Sequence, residues 1–216
     1  MTKIMQIDCG MVNCYLVSDG NQSILVDTGI EQYRDKVAGL YADAGVKLIV
    51  LTHGHNDHIQ NAVYLSEKLK APIAIHKADA ELARNNQLQP LKSRGALGRV
   101  LKMFSELSFK KTRLEDFRPD LFLKDGDLLN DYGINARVVA LEGHTNGSIG
   151  LDIDGKYFLA GDALMNMFKP SVPRIFHNKE KMLESVEKIS NLGERMIYFG
   201  HGGPAQNRNW SKEFAV

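Results

Sequence analysis

At 216 residues, with 44% hydrophobic and 25% charged side chains, the chain is long enough to bury a sizeable core as one domain spanning residues 1–216. A formal charge of +1 removes any global signal for nucleic-acid binding. No apolar run approaches the roughly 20 residues of a membrane span, and Met1–Asp8 lacks a signal peptide's apolar stretch, so a cytoplasmic location without stable membrane association is expected.

Strands are expected at residues 3–7, 11–17 and 22–27, the last two joined by the turn Ser18-Asp19-Gly20-Asn21. Cys9 and Cys14 flank a tight connection between the first two. Their spacing permits a disulfide, while two strand cysteines in a cytosolic chain read as reduced core residues. A helix over 32–44 leads into a strand at 47–52. The helix from Ile59 carries Ile59, Ala62, Val63 and Leu69 on one face, and Pro72 opens a strand through His76. From residue 118 onward, strands at 121–123, 136–141, 148–153 and 156–160 are expected to form a second sheet. A helix at 179–191, capped by Asn178, and a strand at 195–199 follow. This order supports an α/β chain folded as a four-layer αββα sandwich.

Residues 77–118 interrupt the scheme as a helical insertion. Leu97, Val100, Leu101, Phe104 and Leu107 fall at helical spacing and predict a short amphipathic helix. Lys92, Arg94, Arg99, Lys102, Lys110, Lys111 and Arg113 accumulate there against a single acid, Glu106. Two readings stand side by side: a solvated helix packed on the sandwich, or a cationic lid that attracts an anionic small-molecule substrate. A membrane-surface contact ranks third.

The chemistry concentrates in His53-Gly54-His55-Asn56-Asp57-His58, which follows the apolar run Leu48-Ile49-Val50-Leu51. Strand residues two apart point the same way, so His53 and His55 can reach one cation while Asp57 and His58, on the turn into a helix, reach a neighbouring position. Three further apolar runs end alike: residues 136–141 lead to His144, residues 157–160 to Asp162 and residues 197–199 to His201. Open α/β sheets place their sites at such strand ends. Imidazole and carboxylate donors suit zinc first, with iron or manganese as alternatives, and the absence of cysteine argues against a thiolate-selected metal.

These motifs resemble the metallo-β-lactamase-fold hydrolases over nearly the whole chain. The family's blocks occur in order as Asp27 in Val26-Asp27-Thr28-Gly29, the His53–His58 cluster, His144, Asp162 and His201; Asn13-Cys14-Tyr15-Leu16-Val17 and Gly143-His144-Thr145-Asn146-Gly147-Ser148 are similar as well. The resemblance implies two divalent ions. His53, His55 and His144 would hold one, Asp57, His58 and His201 the other, and Asp162 would bridge them, with a water or hydroxide between. Asp27 would lie behind the ligands and Asp57 would also orient the nucleophile. Two divalent cations exceed the charge of Asp57, Asp162 and a hydroxide, so the site stays cationic and suits hydrolysis of a carbonyl or phosphoryl ester.

Departures from well-known relatives narrow the activity. Penicillin-opening zinc enzymes lack an Asp at the Asp162 position. Flavodiiron proteins usually replace a cluster histidine with Glu and add a flavodoxin domain. Glyoxalase II adds a C-terminal glutathione-gripping domain, whereas this sequence ends about fifteen residues after His201. Quorum-signal lactonases use a tyrosine with no convincing equivalent here, and nucleases of the family need additional motifs. The expectation is a glyoxalase II-like or lactonase-like hydrolase of a small ester, thioester or lactone. A mononuclear iron persulfide dioxygenase is the alternative, ahead of a phosphodiesterase or a non-catalytic binding module. Asn166, Phe168, Arg174 and His177, between Asp162 and the next helix, are candidate substrate contacts, as are Arg99 and Lys102 of the insertion. The sequence leaves the oligomeric state open.

Overall fold

Leu48 and Val50 point to one side of their strand and Ile49 and Leu51 to the other, as period-two alternation requires, and all four are buried. A strand apolar on both faces needs cover on both. In the computed structural model, which describes residues 1–85, 89–112, 114, 115 and 118–214, that cover is a second sheet on one side and helices on the other.

The first sheet has six strands in the order β1 (Lys3–Cys9), β2 (Val12–Asp19), β3 (Gln22–Val26), β4 (Val46–Leu51), β5 (Ile73–His76) and β7 (Leu121–Leu123). It is antiparallel from β1 to β3 and parallel from β3 onward. The second sheet runs β13 (Ala205–Gln206), β12 (Met196–Tyr198), β10 (Tyr157–Leu159), β9 (Ile149–Ile153), β8 (Ala136–Ala140), with β10 and β12 parallel. A small ribbon pairs β6 (Lys92–Ser93) with β11 (Ile175–Phe176).

Three apolar layers separate four layers of structure. Val17, Ile24, Val26, Leu48 and Val50 meet Val138, Ile149, Leu151, Ile153 and Leu159 between the sheets. Outside the first sheet, Ile49, Leu51, Ile73 and Ile75 pack on Val37 and Tyr41 of α1 (Arg34–Tyr41) and on Ala62 and Leu65 of α3 (Ala62–Leu69). Outside the second, Phe158, Ile197 and Phe199 pack on Met182, Val186 and Ile189 of α6 (Lys179–Ser190) and on Trp210 of α7 (Trp210–Phe214). The αββα order is therefore the one expected. Asn178 caps α6, its side chain accepting from the backbone of Glu180 and Lys181. Cys9 and Cys14 are free and buried, with sulfurs 3.6 Å apart.

Several elements differ from expectation. β7 joins the first sheet, parallel to β5, instead of the second; Asp120 anchors it by accepting from the Ile73 backbone N–H at 2.8 Å, a pairing that strand periodicity does not encode. The helix expected from Ile59 starts earlier, as α2 (Asn56–Ile59), and breaks before α3. Asn61 marks the break, because its amide donates to the carbonyls of Thr28 and Ile30 at 2.8 Å. The insertion contains α4 (Lys77–Asn85) and the 17-residue α5 (Gly95–Lys111), which is longer than its apolar spacing suggested. Leu97, Val100, Leu101, Phe104 and Leu107 are exposed instead of buried, with Phe104 and Leu107 lining a cleft beside Glu31 and Gln60, and the buried positions of α5 are Gly98 and Phe109. Arg113 lies outside the described residues.

Burial alone should decide the consequence of deleting a phenyl ring. Phe158→Ala should lower unfolding free energy by about 3–5 kcal/mol, and Phe104→Ala by less than about 0.5 kcal/mol, as read by chemical denaturation.

Candidate metal centre

The ligand candidates sit where strands run out. β4 ends at Leu51, and the turn from Thr52 into α2 carries His53, His55, Asp57 and His58. β8, β10 and β12 deliver His144, Asp162 and His201 from the other sheet. The two strand ends are tied together: the Ile149 N–H donates to the Thr52 carbonyl at 2.9 Å, and the Asn13 N–H of β2 donates to the Gly200 carbonyl at 2.8 Å. The Asn13 amide adds bonds to the carbonyls of Phe199 and Gly202, pinning the loop that carries His201. Gly200 is glycine for a local reason, since a Cβ there would lie 2.1 Å from Asp162 Oδ1.

Four of the five cluster histidines are oriented by groups behind them, while His55 Nδ1 lies 2.9 Å from His144 Nε2. His58 Nδ1 donates to Asp27 Oδ2 at 2.7 Å, and His144 Nδ1 to the Ile175 carbonyl at 2.9 Å. His201 Nδ1 bonds the Met11 carbonyl, and His53 Nδ1 lies 3.0 Å from Thr52 Oγ1. Their Nε2 atoms are thereby turned inward. Asp27 takes a left-handed backbone, φ 59°, and also accepts from the Thr52 N–H and hydroxyl at 2.8 Å each.

The inward atoms form overlapping groups. His53, His55 and His144 bring ligand atoms within 4.8 Å of one another, as do Asp57, His58 and His201, and as do His53, His58 and Asp162. Asp162 faces both sides: Oδ2 lies 3.5 Å from His144 Nε2 and 3.2 Å from His201 Nε2, and Oδ1 lies 3.5 Å from His58 Nε2. His53 Nε2, His58 Nε2 and Asp162 Oδ1 are buried without a hydrogen-bond partner. Leaving such atoms unsatisfied costs about 1–3 kcal/mol each, and a divalent cation among them removes that cost. The donor set therefore fits a metal.

The two sides differ electrostatically. Burial, reinforced by neighbouring imidazoles, holds His53 well below the ordinary histidine value, His55 at about 3 and His144 below its ordinary value. Burial also opposes charge on His58 and His201. There the carboxylates win: Asp27, Asp162 and Asp57 lift His58 to about 10, and Asp162 with Asp57 lifts His201 to about 9. Asp162 is held well below the usual carboxylate range by His201 and His58, against its own burial.

The other candidates are placed differently. Asn166 donates from its backbone to the His201 carbonyl at 2.9 Å and from its amide to the Gly203 carbonyl at 2.7 Å, so it braces the loop. Phe168 is 98% exposed. Arg174 lines a cleft with Arg94, Glu213 and Phe214, and His177 Nδ1 bonds the Pro90 carbonyl at 3.0 Å. Lys102 pairs with Glu106 at 3.6 Å, and Arg99 is exposed on α5. Among the described contacts, none joins Arg99, Lys102, Phe168 or Arg174 to the cluster.

Sequence reading missed Asp79. It is fully buried in α4 and accepts from the backbone of Gly54 and Gly147, between and beside the cluster histidines. The only available signal was an acid inside a helix one turn after a strand, which is too common to single out.

Since His58 and His201 hold protons below pH 9 while His53, His55 and His144 do not, cation uptake by the first pair must expel protons. Zinc titration of chelator-treated protein at pH 7 should show one proton-free equivalent and one that releases about two protons, read from enthalpies in buffers of different ionisation heat. Affinity of the second equivalent should rise with pH until about 9–10, where His201 and His58 lose their protons.

The profile of the metallo-beta-lactamase superfamily matches residues 7–201. Acyl-coenzyme A thioesterase MBLAC2 of Bos taurus is 30% identical over 166 residues, 70% of this chain and 58% of that protein. Hydroxyacylglutathione hydrolase GloC of Haemophilus influenzae is 26% identical over 210 residues, 93% of this chain and 90% of its own. The probable metallo-hydrolase YybB of Bacillus subtilis is 34% identical over 83 residues, so the chain spans 38% of that relative and 58% of MBLAC2. TTHA1623, solved in a di-iron-bound form, superposes with a TM-score of 0.72 at 22% identity, covering 98% of each chain. With two mixed sheets flanked by helices and His/Asp clusters at their strand ends, this chain belongs to the metallo-beta-lactamase superfamily.

Proposed function

We propose that the chain hydrolyses a small ester, thioester or lactone with two divalent cations, zinc first and iron or manganese as alternatives. The observation that carries this reading is Asp162, whose two oxygens face His58 on one side and His144 and His201 on the other. His53, His55 and His144 would hold one ion, Asp57, His58 and His201 the other. The names of two relatives support it, since acyl-CoA and hydroxyacylglutathione hydrolysis are both thioester cleavage. A mononuclear iron oxygenase would leave the second group of ligands without a role.

Bound cations would supply Lewis acidity, bringing a water's pKa toward about 7 and offsetting charge on the substrate oxygen. The chain's own residues do the rest. Asp27 holds the Nδ1 proton of His58 and so turns Nε2 inward, where the second proton would be displaced on cation binding. Burial keeps His53, His55 and His144 neutral and so ready as donors. Asp57, with Oδ2 3.5 Å from His201 Nε2 and its side chain 40% exposed, is the cluster carboxylate open to solvent. It would orient an attacking water and take its proton. The basic residues of α5 would steer an anionic substrate.

A panel of esters, thioesters and lactones offered to the metal-loaded protein tests the class, and no turnover on any of them overturns it. Asp162→Asn should reduce bound metal below two equivalents and depress turnover. Asp57→Ala should lower kcat more than it raises KM; an unchanged kcat with metal retained removes Asp57 from the reaction. For the steering role, kcat/KM for an anionic substrate should fall with added salt, screened over about 10 Å at ~0.1 M, and a neutral analogue should not respond.

A further inference from the structure

We propose that Asp79 is a positioning residue that clamps the His53–His55 turn and the His144 loop to each other, setting the geometry of that half of the cluster. The inference rests on reading the cluster as a metal centre. Asp79 Oδ2 accepts from the Gly54 N–H at 2.8 Å and the Thr145 hydroxyl at 2.6 Å. Oδ1 accepts from the Gly147 N–H at 2.7 Å and the Gln89 amide at 3.4 Å. Gly54 lies between His53 and His55, and Thr145 follows His144, so one carboxylate joins the two loops whose imidazoles must share a cation. The far side of Gln89 extends the clamp, accepting from the Asn146 N–H at 2.9 Å.

Two glycines are cut to fit it. A Cβ on Gly147 would lie 2.6 Å from Asp79 Oδ1, and one on Gly54 would lie 3.0 Å from the Asp79 carbonyl and 3.3 Å from its Cβ. Neither glycine has a left-handed backbone, so close approach to Asp79 is what excludes a side chain there. All four contacts are donors, which suits an ionised, acceptor-only carboxylate. Among the described residues, none of its hydrogen-bond partners is a cation, so Asp79 is unlike a surface ion pair and its burial needs the clamp.

Asp79→Asn places an NH2 where one N–H or hydroxyl donor now points, so one arm of the clamp opens while volume is kept. Chelator-treated protein would be titrated with zinc against a chromophoric competitor, and its Tm measured with and without zinc. One of the two equivalents should weaken by about 10–100-fold while the other keeps its affinity, and the zinc-induced gain in Tm should shrink. Thr145→Val, which removes the 2.6 Å bond alone, should shift the same equivalent in the same direction by less. It serves also if Asp79→Asn does not fold. Wild-type affinity for both equivalents, or an equal drop in Tm with and without zinc, overturns the clamp. Wild-type protein that binds no zinc overturns the metal reading itself, and this inference with it.

Discussion

A carboxylate removed from water is costly unless donors or cations replace its solvation, and three buried carboxylates govern this molecule. Asp27, Asp79 and Asp162 are all almost inaccessible, yet each meets the constraint in its own way. Asp27 is surrounded by the Thr52 backbone, the Thr52 hydroxyl and His58. Asp79 is surrounded by neutral donors. Asp162 faces three imidazoles, with one oxygen lacking any hydrogen bond. The first two are satisfied by hydrogen bonds within the protein; the third is balanced by the imidazoles of His58 and His201, with Oδ1 left without a hydrogen bond.

The same carboxylates and backbone carbonyls orient the cluster. His58 is held by Asp27, His144 by the Ile175 carbonyl, His201 by the Met11 carbonyl, and each is held by Nδ1 so that Nε2 faces the cluster. The histidines then divide by which influence prevails, burial holding His53, His55 and His144 low and the carboxylates lifting His58 and His201. The sandwich supports this because each sheet supplies part of the cluster. Backbone bonds from Ile149 to Thr52 and from Asn13 to Gly200 lock the two contributions together.

The insertion shows a different balance. Its α4 turns inward through Asp79, whereas α5 carries a stripe of exposed apolar side chains, Leu97, Val100, Leu101, Phe104 and Leu107. Periodicity located that helix, but spacing records only that the residues share a face. Which way the face turns depends on what α5 packs against, and its buried positions are Gly98, where a Cβ would lie 3.1 Å from the Arg174 carbonyl, and Phe109.

By itself the sequence determined the layered α/β architecture, since strands apolar on both faces, such as Leu48–Leu51, require cover on both sides. It also determined which residues reach the strand ends, because His53, His55, Asp57, His58, His144, Asp162 and His201 each follow an apolar run closely. Only the tertiary structure decided that β7 pairs with β5, that α2 and α3 separate at Asn61, and that Asp79 lies against Gly54 and Gly147. Local pattern reports hydrophobicity and turn chemistry within a few residues. Sheet partners and buried hydrogen bonds join segments 25–70 residues apart, such as Gly54 with Asp79 and Asp79 with Gly147, and these become visible only when the chain has closed on itself.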